Sequence, residues 1–313
     1  MLMIEDRYRS TRNLSSFSLI FPFLVSGYNK DMKKFFRTTN LHNGTVIPYP
    51  GYRIDHSRKE LIYSDVKRAL EFGFRHLDLP SNPSYFSLIQ KAIEDSNISR
   101  DDLFLTAKLQ NSDHGAHGVK RYFGHVLKAF QTDYIDLFLV NWPNPIKFRD
   151  KHEEIQKETW FAIEELYRKG RVHAIGIGNC QAKHIEEYLT LSNISPMVNQ
   201  ARFYPGFPFE ENLDSAKLHG IQTIGFLPPE HDEILNSKEL IIFAKKYKVS
   251  PRLICARYLL DKEVVPLVQS NDLDDFQEFE KLHSFQLAKE DIKFLDNIRN
   301  YGPDNIDPDT CDF

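Results

Sequence analysis

Several short apolar runs in this chain end on a polar side chain. In chain order these polar residues are Asp78, Lys108, Asn141, Asn179 and Gln200. An aspartate and a lysine that meet in a partly dry site each favour the charged form of the other. An asparagine or glutamine amide can donate a hydrogen bond to a carbonyl oxygen. If the fold brings these side chains together, they form a site for an oxygen atom of a substrate or another ligand.

The apolar runs must be parallel strands of one sheet for these residues to meet. Strand-like and helix-like segments alternate eight times between residues 74 and 298. This alternation predicts parallel pairing through right-handed crossovers. Eight successive units favour an α/β fold with a closed (β/α)8 TIM barrel over an open, doubly wound sheet. The predicted strands are Phe74–Leu79, Leu103–Lys108, Ile135–Asn141, His173–Asn179, Met197–Gln200, Gln222–Phe226, Val264–Val268 and Phe285–Ala288.

In such a barrel the chemistry takes place at the carboxyl ends of the strands. The five polar residues would converge there, together with Phe226 at the end of the sixth predicted strand. A polar residue after a buried strand is also what simple contact with solvent produces. Six strand ends that converge at one barrel mouth, five of them polar, nevertheless favour a binding or catalytic site.

The chain divides into three parts. Residues 1–37 are predicted to be an N-terminal extension, residues 38–300 the barrel, and residues 301–313 an acidic, irregular tail. Leu41–Pro50 contains an Asn-Gly turn and predicts a hairpin that closes the barrel bottom. The apolar stretch Phe17–Val25 is too short to span a membrane, so no membrane association is predicted.

Composition excludes several classes of protein. Of 313 residues, 41% are apolar and 27% charged, which allows a sizeable core, and the net charge of −4 gives no reason to expect a nucleic acid partner. Three scattered cysteines have no disulfide or zinc spacing and predict a reducing compartment, the cytoplasm. Asp113, His114 and His117 are predicted to lie in a solvated loop, so no metal site is expected.

Five sequence blocks resemble those of the aldo-keto reductases. They are GFRHLDLP, DLFLTAKL, DYIDLFLVNWP, GRVHAIGIGN and PMVNQARFYP, in the order of the family and at about its spacing. The resemblance covers roughly residues 38–300. It implies a barrel that binds NADP(H) or NAD(H) across its mouth and transfers hydride to a small carbonyl compound.

The catalytic positions implied by this resemblance are only partly filled. The family uses an aspartate, a lysine, a histidine and a tyrosine, and the tyrosine protonates the developing alkoxide. Asp78 and Lys108 match the aspartate and the lysine, and Asn141 falls on the histidine. The tyrosine position is Pro83, which has no donor. Tyr85, two residues further on, is the remaining candidate acid, although it also falls in the first turn of the next predicted helix.

The implied cofactor positions are also divided. Asn179 and Gln200 match residues that hold the nicotinamide carboxamide, and Phe226 matches the aromatic residue that stacks on the nicotinamide ring. Gly51 remains from a block that reads GLGTW in the family and GYRID here, and it is predicted to contact cofactor. Trp142 matches an aromatic residue of the substrate pocket.

Two departures weaken the implied cofactor site. A serine precedes the family's strand-four asparagine, whereas this chain has Gly178. In the family, a lysine and an arginine after strand seven bind the cofactor phosphates. The corresponding residues 264–276 of this chain include neither a lysine nor an arginine. That stretch carries Asp272, Asp274 and Asp275 instead, which would repel a phosphate that needs charge-assisted donors.

Three functions are therefore open. The first is a divergent reductase of small carbonyl compounds whose activity is weak or lost. The second is a non-catalytic barrel, a pseudoenzyme that binds a ligand or a protein partner. The third is different chemistry at the same mouth, with Lys108 as a base or a Schiff-base amine, although Asp78 would tend to keep that lysine protonated. The sequence does not decide whether the protein is an enzyme.

Overall fold

The structure is a computed structural model that describes residues 35–207, 210–229, 232–270, 272–299, 301 and 307–311. Its strands are β1 (Arg37–Asn40), β2 (Val46–Tyr49), β3 (Gly51–Arg53), β4 (His76–Asp78), β5 (Phe104–Lys108), β6 (Ile135–Val140), β7 (Val172–Gly178), β8 (Val198–Arg202), β9 (Gln222–Phe226) and β10 (Val265–Val268). Its helices are α1 (Ile62–Phe72), α2 (Phe86–Asp95), α3 (Ala116–Ala129), α4 (His152–Arg168), α5 (Ala182–Leu191), α6 (Glu210–Leu218), α7 (Lys238–Tyr247), α8 (Pro251–Asp261), α9 (Leu273–Phe279) and α10 (Lys289–Asp296).

The strands β3 to β10 form a closed parallel barrel, with β10 paired to β3. The predicted (β/α)8 barrel is therefore confirmed. The strand register places Arg53 beside Asp78 and Arg202 beside Phe226 at the carboxyl ends of their strands. These ends together form one mouth of the barrel.

The prediction misplaced the first and last barrel strands. The first is β3, which was not predicted, whereas Phe285–Ala288 was predicted as a strand and has no strand structure. β3 has only three residues, too few for an alternation of apolar and polar residues to be recognised. Because β10 closes directly on β3, no edge is left in the barrel with which Phe285–Ala288 could pair.

The predicted hairpin is confirmed. β1 and β2 pair antiparallel, and Gly44 in the turn has φ 87°, a backbone conformation that favours glycine. Asn43 and Thr45 both donate to the carbonyl of His173, at 2.9 and 3.0 Å. His173 lies at the start of β7, so the hairpin covers the amino ends of the strands, which is the barrel bottom.

The loop after β5 is buried, and the prediction of a solvated loop is wrong for two of its three residues. Asp113 and His114 are 7% and 5% exposed, and Asp113 pairs with Arg121 at 2.7 Å. A Cβ at Gly118 would lie 2.1 Å from the Asp113 carbonyl, so glycine lets this loop fold onto α3. Among the residues that the structure describes, no cluster of His, Cys, Asp or Glu is arranged to hold a metal.

Part of the C-terminal tail packs against loops of the barrel. The Asp309 carboxylate accepts hydrogen bonds from His184 at 3.0 Å, from Asn144 at 3.2 Å and from Lys183. Asn144 follows β6, and His184 lies in the first turn of α5, so these contacts lie near the carboxyl ends of β6 and β7. Residues 307–311 therefore belong to the folded unit.

The apolar segment Phe17–Val25 lies outside the described residues. Most of the predicted N-terminal extension, residues 1–37, also lies outside them, since the description begins at residue 35. Within the described range, none of the helices combines the length and the apolar character needed to span a membrane.

The buried imidazole of His76 links the hairpin to the barrel. His76 is 0% exposed. Its Nδ1 donates to the Pro48 carbonyl at 3.2 Å, and its Nε2 accepts from the Thr106 hydroxyl at 2.9 Å, so the ring is neutral in this arrangement. Burial lowers the pKa of His76 from 6.5 to about 4, although the Asp78 charge opposes the shift.

Acid should therefore weaken the fold through His76. The unfolded chain takes up this proton as the pH falls below about 6.5, whereas the folded protein takes it up only near pH 4. The stabilisation that depends on neutral His76 is fully present above pH 6.5 and is lost as the pH falls from 6.5 to about 4. At about pH 4.5 the free energy of unfolding should be lower by on the order of 2 to 3 kcal/mol through this residue. Urea unfolding of the wild type and His76→Gln at neutral pH and near pH 4.5 measures this loss.

The variant removes the titrating group, so its stability should fall less between the two pH values than that of the wild type. His114, whose burial also lowers its pKa to about 4, is present in both proteins and cancels in the comparison. An equal fall in both proteins contradicts the assignment to His76.

Candidate active site

The Asp78 carboxylate is the centre of the mouth. It is 0% exposed, and one oxygen accepts from Lys108 Nζ at 2.6 Å. The other oxygen accepts from Gln200 Nε2 at 3.0 Å. Burial lowers the pKa of Lys108, the Asp78 charge opposes this shift, and the Arg53 charge adds to it. The predicted pairing of Asp78 with Lys108 is thus present, and Gln200 completes the group.

Asn141 and Asn179 pair with each other at the ends of neighbouring strands. Asn179 Nδ2 donates to Asn141 Oδ1 at 2.6 Å. This bond uses the Asn141 oxygen, so the Asn141 amide nitrogen can still donate to another group. A Cβ at Gly178 would lie 2.9 Å from this Asn141 oxygen. The glycine that replaces the family serine is therefore what lets the two asparagines approach. No described residue accepts a hydrogen bond from Asn141 Nδ2.

The ring of Phe226 is covered by an arginine that the sequence analysis did not select. The guanidinium carbon of Arg53 lies 4.0 Å from the centroid of this ring. Arg53 ends β3 and stands beside Asp78 in the strand register. Burial lowers the pKa of Arg53, Asp78 opposes the shift, and Arg202 adds to it. In the sequence, the signal was the GYRID block, where this arginine stands at the second glycine of GLGTW.

Arg202 is a second arginine that sequence reasoning did not select. It ends β8, lies beside Phe226 in the register, and its guanidinium carbon is 6.0 Å from the Phe226 ring and 5.3 Å from the Phe207 ring. In the sequence, Arg202 directly follows PMVNQA in one of the family blocks. An arginine at the end of a strand is, however, usually a residue that extends into solvent, so its position alone did not indicate a role in the site.

Tyr85 lies in the short 3-10 turn Pro83–Tyr85 that precedes α2. Its ring contacts His56, with the centroids 5.7 Å apart. In the described part of the chain, its hydroxyl makes no hydrogen bond to Lys108 or to any other group. Pro83 begins the turn, and Asn82 caps it by accepting from Ser84 N at 3.0 Å. The loop after β4 is thus a compact turn of its own, and within the described residues Tyr85 forms no hydrogen bond with the Asp78 and Lys108 pair.

His56 is a further residue that the sequence analysis missed. It follows β3, contacts Tyr85, and is influenced by the charges of Arg53 and Lys108. Partial desolvation is the main cause that lowers the pKa of His56, and these two positive charges lower it further. The Asp55 charge opposes the shift.

The remaining predicted positions lie around this centre. Trp142 is partly exposed, and its backbone N–H donates to Asn111 Oδ1 at 2.9 Å. Gly51 lies two residues before the end of β3. A Cβ there would be 2.6 Å from both His76 Nδ1 and Leu267 Cδ2. Packing inside the barrel accounts for this glycine.

The acidic loop after β10 is held by its own side chains. Asp272 accepts from Asp274 N at 2.9 Å and so caps α9, and Ser270 Oγ donates to Asp275 at 2.9 Å. Arg252 reaches this loop from α8, where it donates to the Gln269 carbonyl and lies 3.7 Å from Asp275. Arg252 is only 6% exposed. One of the first backbone donors of α9, Asp274 N, therefore already has the Asp272 carboxylate as its acceptor.

The side chains that would hold a nicotinamide ring have other partners in this structure. The Phe226 face is occupied by Arg53 at 4.0 Å. The amide nitrogens of Asn179 and Gln200, which the resemblance assigns to the carboxamide, donate to Asn141 and Asp78. The mouth also holds cationic donors, and Asn141 Nδ2 has no acceptor among the described residues, so these groups could bind an oxygen-rich ligand.

Comparison with known proteins gives a consistent answer on the family. A model of the aldo/keto reductase family matches residues 50–300. Glyoxal reductase of Bacillus subtilis is 31% identical over 264 residues, which are 83% of this chain and 92% of that protein.

Solved structures agree. An aldo-keto reductase from a Medee basin deep-sea metagenome library superposes with a TM-score of 0.77 at 30% identity, covering 86% of this chain and 99% of its own. A Bombyx mori aldo-keto reductase in complex with NADP shares the fold, with a TM-score of 0.74, 23% identity, and coverage of 85% of this chain and 94% of its own. This chain belongs to the aldo/keto reductase family.

Proposed function

We propose that this protein is a divergent aldo-keto reductase whose barrel mouth binds a small ligand and whose NADP(H)- or NAD(H)-dependent reduction of carbonyl compounds is weak or lost. The observation that carries the proposal is the absence, among the described residues, of a phenol hydrogen-bonded to Lys108, which pairs only with Asp78. Without a general acid, charge that develops on the carbonyl oxygen as hydride arrives is not neutralised by a proton.

The remaining residues support binding better than hydride transfer. Asp78, Lys108 and Gln200 form one satisfied group. Asn141 keeps an amide donor for a ligand oxygen. The relative named for glyoxal reduction suggests a small carbonyl compound as the ligand. The relative solved with NADP suggests a nicotinamide cofactor, but Arg53 over Phe226 opposes it here. A protein partner stays a prediction.

The compartment also stays a prediction. Cys180, Cys255 and Cys311 are all free and buried. Free thiols are the usual state in a reducing compartment, which supports the cytoplasm as the location.

Placing a phenol where the family has one should raise the rate of reduction. The loss of a general acid lowers a rate by roughly 10²- to 10⁴-fold, so the wild type should reduce glyoxal slowly. Pro83→Tyr should recover part of this factor because it supplies the missing donor beside Lys108. The measurement is NADPH oxidation with glyoxal, followed at 340 nm.

Pro83→Phe is the matched control, since it makes the same change in size without a hydroxyl. A rise with tyrosine and not with phenylalanine supports the proposal. If the wild type already reduces glyoxal rapidly and Tyr85→Phe abolishes that activity, Tyr85 is the acid and the proposal is wrong.

Removing the Arg53 side chain should open the face of Phe226 to a nicotinamide ring. Arg53→Gly restores the residue of the family block, and we expect NADPH to bind at least about tenfold more tightly than to the wild type, which is about 1.4 kcal/mol. NADP⁺ should gain more than NADPH, because its ring carries a positive charge that Arg53 repels. Quenching of intrinsic fluorescence on titration with each cofactor measures both affinities.

Arg58→Gly, an exposed arginine in the loop after β3, is the control and should leave both affinities unchanged. Micromolar binding by the wild type that Arg53→Gly does not strengthen would show that Arg53 leaves the cofactor site open.

A further inference from the structure

Among the residues that the structure describes, two arginines of the mouth have no counter-ion of their own. Arg53 and Arg202 face the ring of Phe226 from different strands, with guanidinium carbons 4.0 and 6.0 Å from its centroid. Neither guanidinium forms an ion pair or donates a hydrogen bond to any residue in the described parts of the chain. Both side chains are partly buried. A pair of like charges in a partly dry site is unfavourable unless an opposite charge joins them.

Among the described residues, the nearby carboxylates form no ion pair with these arginines. Asp78 uses one carboxylate oxygen for Lys108 and the other for Gln200. Asp55 attracts Arg53 without an ion-pair contact, and its carboxylate accepts from Ser57 N at 2.9 Å. Lys108 and Asp78 balance each other, and Asp55 balances at most one arginine, so the mouth keeps an excess of positive charge.

Stacking on Phe226 does not account for both arginines. A cation is attracted to an aromatic face within about 6 Å of the ring centroid, and Arg53 at 4.0 Å makes such a contact. Arg202, at 6.0 Å from Phe226, lies at the limit of this distance. The contact uses the charge of the guanidinium and not its N–H donors, which lie in the guanidinium plane and match a carboxylate or phosphate group in pairs.

We propose that the barrel mouth binds a small organic anion whose carboxylate or phosphate oxygens pair with Arg53 and Arg202. Asn141 Nδ2, which has no acceptor among the described residues, supplies a neutral donor at the same mouth for a carbonyl or hydroxyl oxygen. The inference rests on the proposed function in one respect, since both use the same mouth. It does not require a cofactor, so it is tested without one.

The test is calorimetric titration of the cofactor-free protein with three probes. Pyruvate and methyl pyruvate carry the same ketone and differ in charge, and inorganic phosphate separates a phosphate site from a carboxylate site. Pyruvate or phosphate should bind at least about tenfold more tightly than methyl pyruvate, because charge-assisted pairs are the stronger ones. The tighter of the two anions identifies the group that the arginines hold.

The double variant Arg53→Met/Arg202→Met should lose this preference to within about twofold, whereas Arg58→Met, the same change at an exposed position, should keep it. The proposal is overturned by equal affinity for pyruvate, phosphate and methyl pyruvate, by a lack of binding of all three, or by a double variant that keeps the preference.

A measurement on the wild type covers the case in which the double variant does not fold. A ligand that binds only the folded state raises the melting temperature. At concentrations too low for phosphate to stabilise proteins by exclusion from their surface, and at equal ionic strength, pyruvate or phosphate should raise it above its value in chloride, and methyl pyruvate should not. An unchanged melting temperature overturns the proposal. Rapid reduction of glyoxal would instead overturn the proposed function and leave these results standing.

Discussion

The mouth of this barrel is organised by one buried carboxylate. Asp78 has no exposed surface, and it joins β4 to β5 through Lys108 and to β8 through Gln200. Such a group is stable only while each oxygen keeps its partner, because a buried charge without one is strongly destabilising. Since Lys108 already balances its charge, Asp78 leaves Arg53, its neighbour in the strand register, without an ion-pair partner among the described residues. The positive excess at the mouth follows from this constraint.

The departures from the family are coupled to one another. Asn141 in place of histidine is paired to Asn179, and that pairing requires Gly178 in place of serine. Arg53 in place of glycine lies on Phe226, where a nicotinamide ring would stack. Pro83 in place of tyrosine begins a compact turn that directs Tyr85 toward His56. By the resemblance, each change removes a feature that hydride transfer uses in the family, and together they leave the mouth that we propose for an anion.

The sequence predicted the barrel, the hairpin and the Asp78 and Lys108 pair, because long alternating segments and polar strand ends are local signals. It missed β3, which is too short for such a signal, and assigned a strand to Phe285–Ala288, which no barrel edge can accept. Arg53 and Arg202 were missed because what marks them is their contact with the ring of Phe226, which lies on a different strand. Closure of the sheet brings these residues together, and no single segment of the sequence shows this contact.

We expect the space over Phe226 to hold Arg53 and an anion rather than a nicotinamide ring. A crystal structure of the protein soaked with saturating NADPH and pyruvate together distinguishes these two occupants. We expect density for the carboxylate between Arg53 and Arg202, with the Arg53 guanidinium still over the Phe226 ring. A nicotinamide ring stacked on Phe226, with Arg53 displaced from it, would show that this space is a cofactor site instead.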